Sequence, residues 1–187
     1  MRIVDAQREI RSRYAGGFYG QLVSGLLWLL SAALAVWVSP RAAITILVVG
    51  GFFIFPATEM LVRASGWKVS LSADNSLRSL GMQVAFVLPL SMPLLLPVCL
   101  YRPTLFYPAL MILLGAHYLP FVFLYGMRMF WMLGALLVGA GVVIAQHGPR
   151  TFSFGAWYTG AVLLVFAGVG RVAALREART AGVLEDV

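Results

Sequence analysis

Four residues in this chain carry groups that an apolar setting would have to justify: His117, Glu59, Gln83 and Tyr125. His117 lies midway along the apolar run 105–127, and an imidazole titrates near neutrality, about 6.5 in model peptides. Such a group serves a proton relay or a ligand site. It serves equally well as a neutral histidine hydrogen-bonded to Gln83, Ser91 or a freed carbonyl. On a helix, Phe121, Leu124 and Arg128 share its face, with Tyr125 close by. Glu59 stands about one turn from the end of the run 42–62, and Arg63 follows at i+4. A charge in hydrocarbon costs ~2.5–3.5 kcal/mol on insertion scales. The pair therefore reads either as an interfacial ion pair, worth a few tenths of a kcal/mol, or as a protonatable carboxylate facing a cavity.

Pro89, Pro93 and Pro97 recur at four-residue spacing, each removing the bond to the carbonyl of Ala85, Pro89 or Pro93. A helix carrying all three is expected to bend or break, and Pro56 and Pro120 predict similar breaks in two other runs. Broken helices at membrane depth make substrate sites in transporters; proline kinks also occur where nothing is transported. Haem between two helices would need a second mid-depth histidine, and His147 falls at the end of its run. The lone Cys99 forms neither an intrachain disulfide nor a zinc cluster. Asp74 is the only Asp outside the terminal segments, and no phosphate-binding loop, HExxH or Ser-His-Asp set can be assembled. No enzyme, cofactor, metal or nucleic-acid partner is expected.

The elements that position these residues are read from hydropathy. Hydrophobic residues make up 61% of the chain and charged ones 11%, with a mean hydropathy of +0.89, far from a soluble domain. Apolar runs at 20–38, 42–62, 79–100, 105–127, 129–146 and 155–175 each match the roughly 20 residues that cross ~30 Å of hydrocarbon. The expected class is an all-α polytopic membrane protein, residues 1–187 forming a single integral membrane domain of six transmembrane helices. The charged start, Arg2 to Arg13, does not resemble a cleavable signal peptide. With that end cytoplasmic, the inner segments hold Arg2, Arg8, Arg11, Arg13, Arg63, Lys68, Arg78, Arg128, Arg171, Arg176 and Arg179, against Arg41, Arg102 and Arg150 outside. The positive-inside rule then places both termini in the cytoplasm of an inner (plasma) membrane.

Aromatic residues fall into two belts: Tyr14, Phe18, Tyr19, Trp67, Phe130 and Trp131 inside; Trp37, Tyr101, Phe106, Tyr107, Trp157 and Tyr158 outside. Residues 1–14 place Ile3, Ile10 and Tyr14 at helical spacing, as in a surface-lying amphipathic helix or, equally, a tail without structure. The longest polar connection, Arg63 to Arg78, contains Ser70, Ser72, Asp74, Asn75 and Ser76. Ala135 and Gly139 form a small-xxx-small pair suited to close helix packing, within the monomer or with a second copy.

Each outer turn carries a Pro beside an Arg (Pro40-Arg41, Arg102-Pro103, Pro149-Arg150), followed in the returning run by Gly51, Gly115 and Gly160. Three helical hairpins on one plan would give this pattern, Pro fitting the first turn of the returning helix. The rhythm from Gly25 through Pro40 to Gly51 resembles the repeated unit of the HdeD-like acid-resistance membrane proteins of bacteria. The segments GQLVSGLLWLL, GGFFIFP and GAHYLPFVFLYGMRMF resemble an uncharacterised family of small bacterial integral membrane proteins over nearly the whole chain. The first resemblance implies a six-helix inner-membrane protein linked to stress tolerance. Neither implies a catalytic residue. The leading expectation is a non-enzymatic inner-membrane protein concerned with stress or partner binding, its partners being the bilayer and a second copy or another membrane protein. The alternative is a small transporter or channel lined by His117, Glu59 and the Pro-broken third run.

Overall fold

The computed structural model describes residues 1–65, 71–149 and 151–180; Trp67, Lys68, Ser70 and Arg150 lie outside them. Among the described residues every regular element is helical: α1 (Ile3–Arg13), α2 (Phe18–Trp37), α3 (Pro40–Gly51), α4 (Ile54–Ala64), α5 (Arg78–Ser91), α6 (Leu95–Tyr101), α7 (Phe106–Tyr125), α8 (Met129–His147) and α9 (Phe154–Thr180). Among the described residues five stretches are long and apolar enough to cross a membrane, and α3 with α4, bent by 60°, form either a broken sixth span or a re-entrant loop. Each of these helical stretches overlaps one of the apolar runs read from hydropathy.

Local chemistry explains the boundaries. Between α1 and α2 the backbone turns through Ala15, Gly16 and Gly17 at φ 47°, 66° and 88°, a left-handed run that only glycine adopts cheaply. At the far end of α2, Ser39 is extended and accepts a bond from Ala42 N at 3.1 Å, while Pro40 opens α3. The α3–α4 bend follows Gly50-Gly51, where Phe52 and Phe53 make tightened bonds to Val49 O (3.2 Å) and Gly50 O (2.9 Å). Pro56 has no N–H to offer Phe52 O, so the break falls where expected.

The other prolines are gentler. The span Arg78–Tyr101 runs through Pro89, tightens to a 3-10 turn at Met92–Leu94 and resumes as α6. In it, Ser91 Oγ donates to Val87 O at 2.7 Å. The break expected at Pro120 does not occur, since α7 is continuous from Phe106 to Tyr125.

Packing rests on glycine pairs in the two most intimate helix contacts, α7 with α8 and α2 with α9. A methyl group on Gly115 would lie 2.7 Å from Gly134 O, and one on Gly134 2.8 Å from Gly115 O. Gly25 and Gly160 face each other similarly, at 3.2 and 3.1 Å from the opposing carbonyls, and Gly16 meets Gly170 more tightly still. Backbones approach this closely only where no side chain intervenes. The expected Ala135/Gly139 pair makes no contact within the monomer: both are exposed and a methyl on Gly139 meets nothing within 4 Å. The glycines of the hairpin rhythm also have unequal roles, Gly51 ending α3 near the Met92 side chain while Gly115 and Gly160 make backbone crossings.

The aromatic belts need a similar correction. Trp37 and Tyr101 are well exposed, but Phe106, Tyr107 and Phe130 are buried in the core. Their rings fill space between helices, with Tyr107 against Trp28 and Phe152 and Phe130 against Tyr125.

Gly115→Ala is expected to lower stability by about 1–3 kcal/mol in detergent thermal unfolding, the usual cost of overpacking. Gly139→Ala is expected to cause no loss, because the added methyl meets open space and alanine is the better helix former.

Candidate functional site: a polar clasp at the α1 end

Helix α1 buries only Ala6 and Ile10, an apolar contribution of about 2–4 kcal/mol. Its remaining hold is polar and reaches four other parts of the chain. Gln7 Nε2 donates to Phe123 O and Arg11 Nη1 to Tyr125 O, both at 2.6 Å. These are carbonyls of the last turn of α7, which stops at the left-handed Gly126 (φ 62°); Phe123 O also accepts a longer bond from Gly126 N at 3.3 Å. A cation placed there also complements the helix dipole.

Arg11 turns the rest of its guanidinium to α9, with Nε 2.8 Å from Glu177 Oε2 and Nη2 2.7 Å from Oε1. This two-pronged geometry matches a carboxylate fork, and Arg8 approaches the same group at 3.4 Å. Arg13 reaches α4, its Nη2 3.1 Å from Glu59 Oε2, while the Tyr14 hydroxyl donates to Glu59 Oε1 at 2.7 Å. Glu9 accepts from Ser72 N (2.6 Å) and Asn75 Nδ2 (2.5 Å), in the segment that leads into α5. The buried Asn75 also donates to Ala6 O at 3.2 Å and accepts from Leu77 N at 2.9 Å. All three glutamates among the described residues are turned to this one junction.

Burial alone would push the Glu9 carboxyl up, but the Asn75 and Ser72 donors outweigh it and hold Glu9 below the usual carboxylate range. Its contribution is present above the ordinary value of 4.5 and is lost as pH falls through the lowered one. Tyr14 is pushed up to about 12 by burial and by the Glu59 carboxylate. Its contribution is complete below the ordinary value of 10 and is lost as pH rises through about 12.

Of the residues singled out from sequence, the fold brings Glu59 and Tyr125 to this end of the molecule. Tyr125 stacks on Phe121 (5.7 Å between centroids) and packs on Phe130, with the Gly17 backbone beside its ring. Glu59 does not pair with Arg63, which is exposed; Arg13 and Tyr14 take its carboxylate.

His117 is elsewhere. Its ring lies against Phe121 and Tyr118, and its Nδ1 is buried without a hydrogen-bond partner among the described residues. The partners expected for it face away: Gln83 is exposed and Ser91 bonds its own helix. Pro89 lines a small crevice beside the α3–α4 bend, with Ser24, Trp28, Leu47, Met92 and Leu114, of about 30 Å³, space for about two waters. Pro93 and Pro97 are exposed.

Sequence reasoning passed over a buried polar stripe on α2. Gln21, Ser24 and Ser31, with Trp28 between, repeat at intervals of three, four and three residues on one face. Ser31 Oγ donates to Ala43 O at 2.8 Å, leaving the Tyr107 hydroxyl to donate to Ser31 Oγ at 2.7 Å. Both amide atoms of Gln21, and Thr159 Oγ1 on α9, are buried without partners among the described residues. The signal was legible: three polar residues on one face of an otherwise apolar run.

Residues 3–172 match the model of a family of unknown function, DUF7010. No curated protein and no solved structure matches the chain.

A double-mutant cycle on Arg13 and Glu59 is expected to give a coupling of about 1–2 kcal/mol in detergent unfolding, whereas the cycle on Glu59 and Arg63 gives about zero. In an alkaline titration between pH 10 and 12, the wild-type chain is expected to lose stability that Tyr14→Phe does not lose, since phenylalanine has no proton to release.

Proposed function

We propose for this chain, which belongs to the family of unknown function DUF7010, the role of a non-enzymatic, multi-pass protein of the inner (plasma) membrane concerned with stress or partner binding. In this reading it makes six passes as three helical hairpins, with both termini in the cytoplasm. One observation carries it: Arg11 near the start of the chain is forked onto Glu177 near the end of α9. Both ends of the apolar bundle thus meet at one pole, the pole that also holds Arg63, Arg78, Arg128, Arg171, Arg176 and Arg179. Positive charge at one pole is the mark of a cytoplasmic end. The link to envelope stress rests on the HdeD-like rhythm of the hairpins alone.

A second reading, transport of a small ion or proton, is favoured by the unpartnered polar groups of Gln21, Thr159 and His117 within the apolar bundle. Ionisable and polar groups at that depth mark ion pathways in many membrane proteins. The small volume of the mid-depth crevice supports the non-transport reading instead.

Reporter tags fused to the two termini are expected to report from the same, cytoplasmic side; opposite sides would overturn the topology. Purified chain in proteoliposomes is expected to carry no proton or monovalent-ion flux above empty vesicles. A flux that vanishes in a folded His117→Ala or Gln21→Leu variant would establish the transport reading.

A further inference from the structure

The charges at the α1 end are sorted. Glu9, Glu59 and Glu177 turn inward onto α1 and its neighbours, and Asp5 pairs with Arg2. Arg63, Arg78, Arg128, Arg171, Arg176 and Arg179 are all exposed and carry no ion pair among the described residues. Of the described carboxylates only Asp74 shares that outer rim. At the opposite pole the described cations are Arg41 and Arg102 alone.

Two corners of the rim are organised. A methyl on Gly81 of α5 would lie 3.8 Å from the Leu124 side chain of α7. Arg78, at the start of α5, therefore stands at the same corner as Arg128, just past the end of α7. Beyond them along α5, Met82, Phe86 and Leu90 present an exposed apolar strip. At the second corner the Arg171 guanidinium is held 4.7 Å over the Phe18 ring, and Val165, Val169 and Val172 are exposed beside it on α9. Each corner thus joins guanidinium forks to an apolar strip running into the bundle's depth.

We propose that these corners seat anionic phospholipids: the guanidinium forks take the phosphate, and the strips on α5 and α9 take the acyl chains. A guanidinium matches phosphate oxygens bidentately, and a headgroup with net negative charge is needed because a zwitterionic one brings its own cation. The proposal rests on the reading that the bundle crosses a membrane with this pole in one leaflet.

The test uses the full chain in detergent, titrated with phosphatidylglycerol, phosphatidylcholine or inorganic phosphate, and read by thermal unfolding and native mass spectrometry. Each basic residue near a surface contributes about a fivefold preference, so phosphatidylglycerol is expected to bind at least about tenfold more tightly than phosphatidylcholine and to raise Tm. Arg78→Gln with Arg128→Gln and Arg171→Gln is expected to erase that preference, Arg171→Gln alone to reduce it about fivefold if the triple variant fails to fold, and Arg41→Gln with Arg102→Gln to leave it intact. Equal binding of the two lipids, the same Tm rise from inorganic phosphate, or an equal loss in the opposite-pole variant would overturn the proposal. Because lipid choice is read in detergent, its failure is distinct from a failure of the tag topology.

Discussion

The closure of one end of the bundle depends on Arg11. Its guanidinium does two things at once: it supplies a donor to the last carbonyl of α7 and forks onto the carboxylate of α9. Helix ends leave backbone groups unpaired, and in an apolar surrounding such a group costs several kcal/mol. At the end of α7 the first helix supplies two of the missing donors, from Gln7 and Arg11. Without it, Phe123 and Tyr125 would lose donors, and Glu59 and Glu177 would lose the cations that neutralise them.

The same constraint explains why the rest of the bundle is built from glycine. Helices apolar enough to cross a membrane would gain nothing in lipid by burying apolar side chains, and these associate through close backbone approach. Gly115 with Gly134 and Gly25 with Gly160 provide that approach along the two tightest helix pairs, and Gly16 with Gly170 provides it at the turn that precedes α2. The Gly16–Gly170 crossing lies directly at the left-handed turn after α1. The turn that swings α1 across the pole is thus fixed in place by α9, the helix whose far end Arg11 then grips.

How much of this was legible in the sequence differs between elements. The candidate spans follow from hydropathy, because an apolar run of this length has few other fates, and the bend before Pro56 follows from a missing N–H. Pro120 misleads because a bundle can accommodate a proline that a lone helix would not. Ala135 and Gly139 go unused within the monomer for another reason: small residues mark a face that permits approach, and only the partner helix decides which such face is used. The clasp itself was half visible. Glu59 drew attention as a carboxylate in an apolar run, but its partners Arg13 and Tyr14 are more than forty residues away, and i+4 spacing pointed to Arg63. The amphipathic spacing of Ile3, Ile10 and Tyr14 announced α1 as a helix without saying that it would face protein. Gln21, Ser24 and Ser31 were legible by spacing alone and went unread beside the more conspicuous His117.

Helix α1 is docked on the bundle and is not a free tail. Hydrogen–deuterium exchange of the solubilised chain at neutral pH tests it most directly, by the amides of residues 6–13. Docked, they should exchange slowly, as the ends of α7 and α9 do, and should become fast together with the final turn of α7 when Arg11 is replaced by alanine. Fast exchange of those amides in the unaltered chain, with α7 protected to its last turn, would contradict it.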